Sequence, residues 1–280
     1  MGPIIDFHIH PIYYEYYRES TLNWIKALQN VADWDDFYAK YSDPAYFVDY
    51  LKRCKVDYAV IMADYTPLVV GMCTNEYVLR FCRDHEELIP FASINPYMTA
   101  NMAAELKRLV NQGFRGLKLY PTYQYFYANE PMLYPLYACA QELQVPIMFH
   151  TGTSLFKGSR LKYGDPLYLD DVAVDFPGLK ILMVHSGRGI WYDRAVSLCR
   201  LHENIYMEVA GLPPQKLQKY FPEMDKIPNQ IIFGSDWPGV IDIAENIALI
   251  KKLDLPAETK TKMLGGNAAR LLCIDPYDGS

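Results

Sequence analysis

Residues 4–11 read IIDFHIHP, an apolar run that carries two histidines one residue apart, His8 and His10. The residues just after this run decide the fold. An open sheet built to bind a dinucleotide places a glycine-rich turn after its first strand. Here residues 10–20 read HPIYYEYYRES, without a glycine. Seven more short apolar runs come later: DYAVIMAD (57–64), IPFASINP (89–96), RGLKLYP (115–121), PIMFHTG (146–152), KILMVHSG (180–187), NIYMEVAG (204–211) and IIFGSDWP (231–238). With PIIDFHI (3–9) they make eight. Most are continuously apolar, as strands buried on both faces are.

Helical patterns fill the gaps between the runs. In NMAAELKRLVNQGF (101–114), Met102, Leu106, Leu109 and Val110 form one stripe and Gly113 is a stop. In NEPMLYPLYACAQELQ (129–144), Pro131 suits a first turn and Pro135 marks a break. Eight strands alternating with helices predict an α/β fold, a closed (β/α)8 TIM barrel, as one domain over residues 1–280. The segment 11–50 is too long for an ordinary loop after the first strand. It is rich in rings: Tyr13, Tyr14, Tyr16, Tyr17, Trp24, Trp34, Tyr38, Tyr41, Tyr46 and Tyr50. We expect either an insertion that packs on the barrel through these side chains or a lid over its mouth, two readings that can coexist.

The chain is 51% hydrophobic and 21% charged, which supports a sizeable core and argues against wholesale disorder. A net charge of −6 with no basic block argues against nucleic-acid and anionic-membrane partners. The first ten residues lack the charged-then-apolar pattern of a secretory signal. No apolar stretch reaches the roughly 18–20 residues that span a bilayer. Cys54, Cys73, Cys82, Cys139, Cys199 and Cys273 are scattered, with no CxxC pair, which fits reduced thiols in the cytoplasm. The expected partner is a small-molecule substrate, and the many tyrosines would suit a homodimer contact.

The polar residues at the run ends carry the chemistry. Alternate residues of a strand share a face, so His8 and His10 present two imidazoles about 7 Å apart at Cα. Alone, that pair is a weak metal signal. But His150 closes VPIMFH, His185 closes KILMVH and Asp236 closes IIFGSD, each followed closely by Gly or Pro. Side chains at the C-terminal ends of barrel strands meet at one mouth. Four of the six histidines stand at such ends; the other two, His85 and His202, lie in helix-end segments. Histidine and aspartate are donors for Zn2+, with Mn2+ or Fe2+ as alternatives. There is no GxSxG elbow and no P-loop.

The ordered set HxH, Lys, His, His, Asp resembles the amidohydrolase superfamily of metal-dependent TIM-barrel hydrolases. HPIYY, GLKLYP, FHTG, VHSG, FGSDWP and LGGNAARLL resemble in particular its amidohydrolase-related, aminocarboxymuconate-semialdehyde decarboxylase-like branch. The resemblance runs from residue 4 to about residue 272. It implies a divalent metal at the strand C-termini, one ion rather than two. It implies that His8, His10, His150 and Asp236 are ligands, and that Asp236 also takes the proton of an attacking water. His185 is then a ligand or a catalytic acid/base that polarises substrate. Lys118 is a carboxylated bridge between two ions, an anion-binding lysine or a structural one.

Two reactions suit this set. The first is hydrolysis of a small ester, lactone or amide by metal-activated water, with His185 stabilising the oxyanion. The second is a carboxy-lyase reaction, non-oxidative decarboxylation of a small aromatic or unsaturated acid. Arg188 is a candidate anion clamp. Tyr120, Tyr123, Trp191 and Trp237 follow strand ends and are candidates for the pocket wall. Glu208 is either a carboxylate that orients a histidine or a structural one. Asn267 and Arg270 are expected to tie the last helix to the barrel.

Overall fold

A computed structural model describes residues 2–13 and 15–274; Tyr14 of the aromatic segment lies outside them. Each predicted run coincides with one barrel strand, the third starting one residue before its run: β1 (Ile5–Ile9), β2 (Tyr58–Met62), β3 (Leu88–Ser93), β4 (Gly116–Leu119), β5 (Ile147–His150), β6 (Ile181–Val184), β7 (Ile205–Glu208) and β8 (Ile231–Ile232). They pair in parallel in sequence order. The ring closes between its ends. The Phe7 amide donates to the Phe233 carbonyl (3.0 Å), Asp236 to His8 (2.9 Å) and His10 to Trp237 (2.8 Å).

The two-residue period is visible in the core. Leu117, Leu119, Ile147, Phe149, Ile181 and Met183 belong to the layer packed against the helices, whereas Met148, Leu182 and Val184 belong to a second buried layer. Lys118 and His150 follow the second alternation and open into the mouth. The helix Met102–Asn111 buries Met102, Leu106 and Leu109 and is followed by Gly113 at φ +112°. Pro131 opens a 3-10 turn, Pro131–Leu133, and Pro135 lies in the first turn of the α-helix Tyr134–Glu142 that succeeds it. Asn267 donates to the Pro228 and Ile231 carbonyls (2.9 and 2.8 Å) and Arg270 to that of Asn229 (2.6 Å), which ties the last helix to β8.

The insertion is shorter than the sequence suggested. Pro44–Arg53 is the first crossover helix of the barrel: Asp43 caps it, Pro44 opens it, and Phe47, Val48 and Leu51 are buried. Tyr46 and Tyr50 therefore belong to the barrel proper. Before it come the helices Glu19–Leu28 and Trp34–Tyr41. Tyr16–Tyr17, Gly71–Cys73 and Asp64–Thr66 form a small antiparallel sheet beside the mouth. The six cysteines are free, and five are buried. Among the described residues no helix is long and apolar enough to cross a membrane.

Candidate active site

The C-terminal ends of five strands, β1, β4, β5, β6 and β8, bring His8, His10, Lys118, Tyr120, His150, His185, Arg188 and Asp236 onto one cleft of about 840 Å3, its open mouth included. Local backbone aims several of them. The β1–β2 pairing slips register between Asp6 and Ile9, an irregularity of the kind that re-aims side chains near sites. His185, Ser186 and Asp236 all adopt positive φ, +62°, +48° and +72°. Such backbone costs about 1–3 kcal/mol per residue and persists where its surroundings hold it. Gly234 leaves room behind the cluster. A Cβ there would overlap the Glu208 carboxylate and come within 2.6 Å of the His8 Cβ.

The donor atoms converge. His8 Nε2 lies 3.2 Å from His10 Nε2 and 3.2 Å from Asp236 Oδ1; His10 Nε2 is 3.7 Å from the same oxygen. Two ligands about 2.05 Å from a tetrahedral ion stand about 3.3 Å apart, so these separations are those of a coordination shell. His185 joins His8 and Asp236 in a group whose donor atoms lie within 4.8 Å of one another. His150 packs on His185 with ring centres 4.8 Å apart, and its Nε2 is buried without a hydrogen-bond partner. An orphaned buried nitrogen beside three converging donors fits a divalent cation.

Second contacts set the tautomers. His185 Nδ1 lies 2.7 Å from the Ala210 carbonyl, which can only accept, so Nδ1 carries the proton and Nε2 holds a lone pair. Glu208 stands behind His8, whose Nδ1 makes no hydrogen bond to it, and holds the neighbouring backbone. It stands 3.4 Å from His8 Nδ1 and accepts the amides of His185 and Ala210, each at 3.2 Å. Asp6 braces the neighbouring backbone by accepting the Ser235 and His8 amides (2.8 and 3.1 Å).

Burial dominates the electrostatics. It holds His8, His150 and His185 well below the ordinary histidine range, with Lys118 and Arg188 adding to the effect, and lowers His10 to about 4. The imidazoles are thus neutral, the form that binds metals. Burial also raises Asp236, against the opposing pull of His10 and Arg188, and raises Glu208 to about 8. A divalent cation among them would favour the charged carboxylates.

The tautomer of His185 suits the ligand or base role better than the oxyanion role. Stabilising an oxyanion would need a proton on Nε2, hence an imidazolium, which burial disfavours. The cation on hand is Arg188, whose Nη1 is 3.8 Å from Asp236 Oδ2 and whose Nε and Nη2 donate to the Thr153 carbonyl (3.3 and 3.0 Å).

Two expected wall residues do not line the cleft. Trp237 is buried against Tyr41, Phe47 and Tyr50, with ring centres 5.1, 5.1 and 6.0 Å away. It comes directly after Asp236, and adjacent residues point to opposite faces. Trp191 already caps the helix Tyr192–Leu201 and is half-buried outside the barrel. Tyr123 does line the cleft, 4.7 Å from the His150 ring. His202 bonds Asp170 at 2.6 Å, remote from the cleft. Tyr17, Thr21 and Trp24, from the aromatic segment expected over the mouth, line its outer wall with Leu155 and Phe156; the sequence reading did not single out Asp64. Asp64 had a signal, since it closes DYAVIMAD as Asp236 closes IIFGSD.

A family model described as Amidohydrolase matches residues 5–274, so the chain belongs to the amidohydrolase family, which is metal-dependent. Its fold is similar to that of an uncharacterised TIM-barrel protein from Bordetella bronchiseptica (20% identity, TM-score 0.79), covering 97% of this chain and 98% of that one. It is also similar to a dihydroxybenzoic acid decarboxylase from Polaromonas sp. JS666 with bound manganese (16%, 0.70, covering 98% and 97%). A third likeness is to a probable 2-pyrone-4,6-dicarboxylic acid hydrolase from Acinetobacter baumannii (18%, 0.68, covering 98% and 100%).

Proposed function

We propose that the protein is a metal-dependent hydrolase that adds water to a small-molecule ester, lactone or amide. The observation that carries this reading is the convergence of His8, His10 and Asp236 at 3.2–3.7 Å beside the orphaned His150 nitrogen. These four residues would hold one divalent ion, Zn2+ by donor type, with Mn2+ or Fe2+ as alternatives. When bound, the ion supplies Lewis acidity toward a carbonyl and toward water.

The side chains do the rest. Asp236 keeps Oδ2 turned toward Arg188 and the cleft, so it accepts the proton of the attacking water and returns it to the leaving group. Arg188 stabilises negative charge as it develops. His185, with its lone pair on Nε2, adds a ligand or a base.

A second reading has its own observation. Trp24, Phe156 and Tyr123 give the cleft an aromatic wall beside Arg188 and Lys118, with Trp24 and Phe156 ring centres 5.2 Å apart. That wall suits a planar acid and a non-oxidative decarboxylase, a carboxy-lyase. Reaction of the zinc- or manganese-loaded protein with lactones and hydroxybenzoates in 18O-water separates the two. The hydrolase incorporates 18O and releases protons; CO2 release without net water addition overturns it. Asp236→Asn should lower turnover at least about a hundredfold with an unchanged near-UV circular dichroism spectrum. Near-normal turnover would remove Asp236 from this role.

A further inference from the structure

Two adjacent strand ends repeat one pattern, a histidine followed by a hydroxyl residue and a glycine: His150, Thr151 and Gly152 after β5, and His185, Ser186 and Gly187 after β6. Both hydroxyl residues are buried and neither lines the cleft. Each reaches across to the next strand instead. Ser186 Oγ donates to the Glu208 carbonyl on β7 (2.9 Å). Thr151 does more. Its amide and its hydroxyl both donate to the Val184 carbonyl at the end of β6 (3.1 and 2.7 Å), and its Oγ1 accepts the Gly187 amide (2.9 Å).

The turn it holds is the one with unfavourable backbone. His185, Ser186 and Gly187 have φ of +62°, +48° and +72°. Glu208 anchors this turn from the β7 side through the His185 amide, and Thr151 anchors it from the β5 side. The turn delivers Arg188, and there the two loops exchange bonds again. The Thr153 amide donates to the Arg188 carbonyl (2.8 Å), while Arg188 Nε and Nη2 donate to the Thr153 carbonyl (3.3 and 3.0 Å). Gly152 leaves room for this seam, since a Cβ there would stand 2.3 Å from the Arg188 nitrogen. With Nε and Nη2 fixed, Nη1 is the end turned toward Asp236. A hydroxyl that donates to Val184 keeps lone pairs for the Gly187 amide. Valine has the same shape but can do neither, and would leave that buried amide unpaired.

We propose that Thr151 is a positioning residue: through its hydroxyl it holds the turn after β6 and so places the Arg188 guanidinium over the cleft. This rests on the reading of Arg188 as the group that meets developing negative charge. Such a group is sensitive to its place, and a shift of about 1 Å can cost about a hundredfold in rate.

The test compares Thr151→Val, which loses the hydroxyl, with Thr151→Ser, which keeps it and loses the methyl group. Zinc-loaded proteins are assayed on the lactones and hydroxybenzoates. Thr151→Val should lower kcat at least about tenfold and change KM less than about threefold, with zinc affinity by chelator competition unchanged. The Gly187 and Thr153 amides should exchange with solvent at least about tenfold faster, the first for want of its acceptor and the second because the seam opens. Thr151→Ser should recover both readouts. Unchanged kcat in the valine variant overturns the proposal. So does an equal loss in the serine variant, which traces the effect to the methyl group. A fall in zinc affinity as large as the fall in kcat also overturns it, by tying Thr151 to the histidines rather than to Arg188. If the wild-type protein turns over neither substrate class, the functional reading fails alone. Faster Thr153 exchange in Thr151→Val then supports the positioning role, and unchanged exchange overturns it. Thr151→Ala takes the place of the valine variant if that one does not fold.

Discussion

Glu208 touches no substrate in either reading, yet it accepts the His185 and Ala210 amides and lies 3.4 Å from the His8 ring nitrogen. Carboxylates behind metal-binding histidines fix ring orientation and basicity, and their loss usually lowers metal affinity about 10–100-fold. Glu208→Gln should show that loss in chelator competition, and unchanged affinity would leave Glu208 a structural carboxylate. Gly211 is a second such position. At φ +65°, a Cβ there would stand 2.5 Å from Asp236 Oδ2 and 2.9 Å from Arg188 Nη1. Gly211→Ala should therefore cut kcat/KM at least about tenfold by displacing both groups, with a smaller effect on thermal stability. The residues that close apolar runs were legible in the sequence, because a polar side chain after a buried strand has few other places to go. Trp237 was misplaced because one residue of offset from Asp236 sends a side chain to the other face, and Trp191 because it already stands at the start of the next helix.

The helix Glu19–Leu28 lies in the aromatic segment that the sequence placed over the mouth, but the anchors that hold it there were not legible. Its position comes from long-range bonds that no local pattern reveals. Arg18 donates to the Pro67 and Leu68 carbonyls and Thr21 to that of Val70, while Gln29 donates to Pro238 and Val240 at 2.7 Å each. The helix thus spans the mouth from the β2 side to the β8 side, with Trp24 facing Phe156. If it covers bound substrate, Trp24→Ala should raise KM several-fold and change kcat less; an equal fall in kcat at constant KM would place Trp24 elsewhere in the cycle. The last helix offers a control remote from chemistry. Asn267→Ala strips two carbonyls of their donor and should lower stability by about 1–3 kcal/mol in urea unfolding, without altering zinc affinity.

At the scale of the whole molecule, eight mostly apolar runs with helices between them were enough to read the barrel, because strands covered on both faces leave little choice of architecture. The end of the insertion was not legible, since Pro44–Arg53 carries the same tyrosines as the segment before it. A cation bound at one hundred times its dissociation constant adds about 2.7 kcal/mol to stability. For a domain of this size that corresponds to about 5 °C, so chelation should lower Tm by that much and reloading should restore it. An unchanged Tm would mean the ion contributes nothing to the fold.

The ring closes on β8, whose named strand is two residues long, through three backbone bonds to β1. His8 and His10 stand on one side of that join and Asp236 on the other. A cation gripping both sides would act as a clasp on the two ends of the chain, far apart in sequence. Emptied of it, the barrel should fray first along this seam. Hydrogen exchange would show that as faster loss of the Phe7, His10 and Asp236 amides than of any amide in β4 to β6.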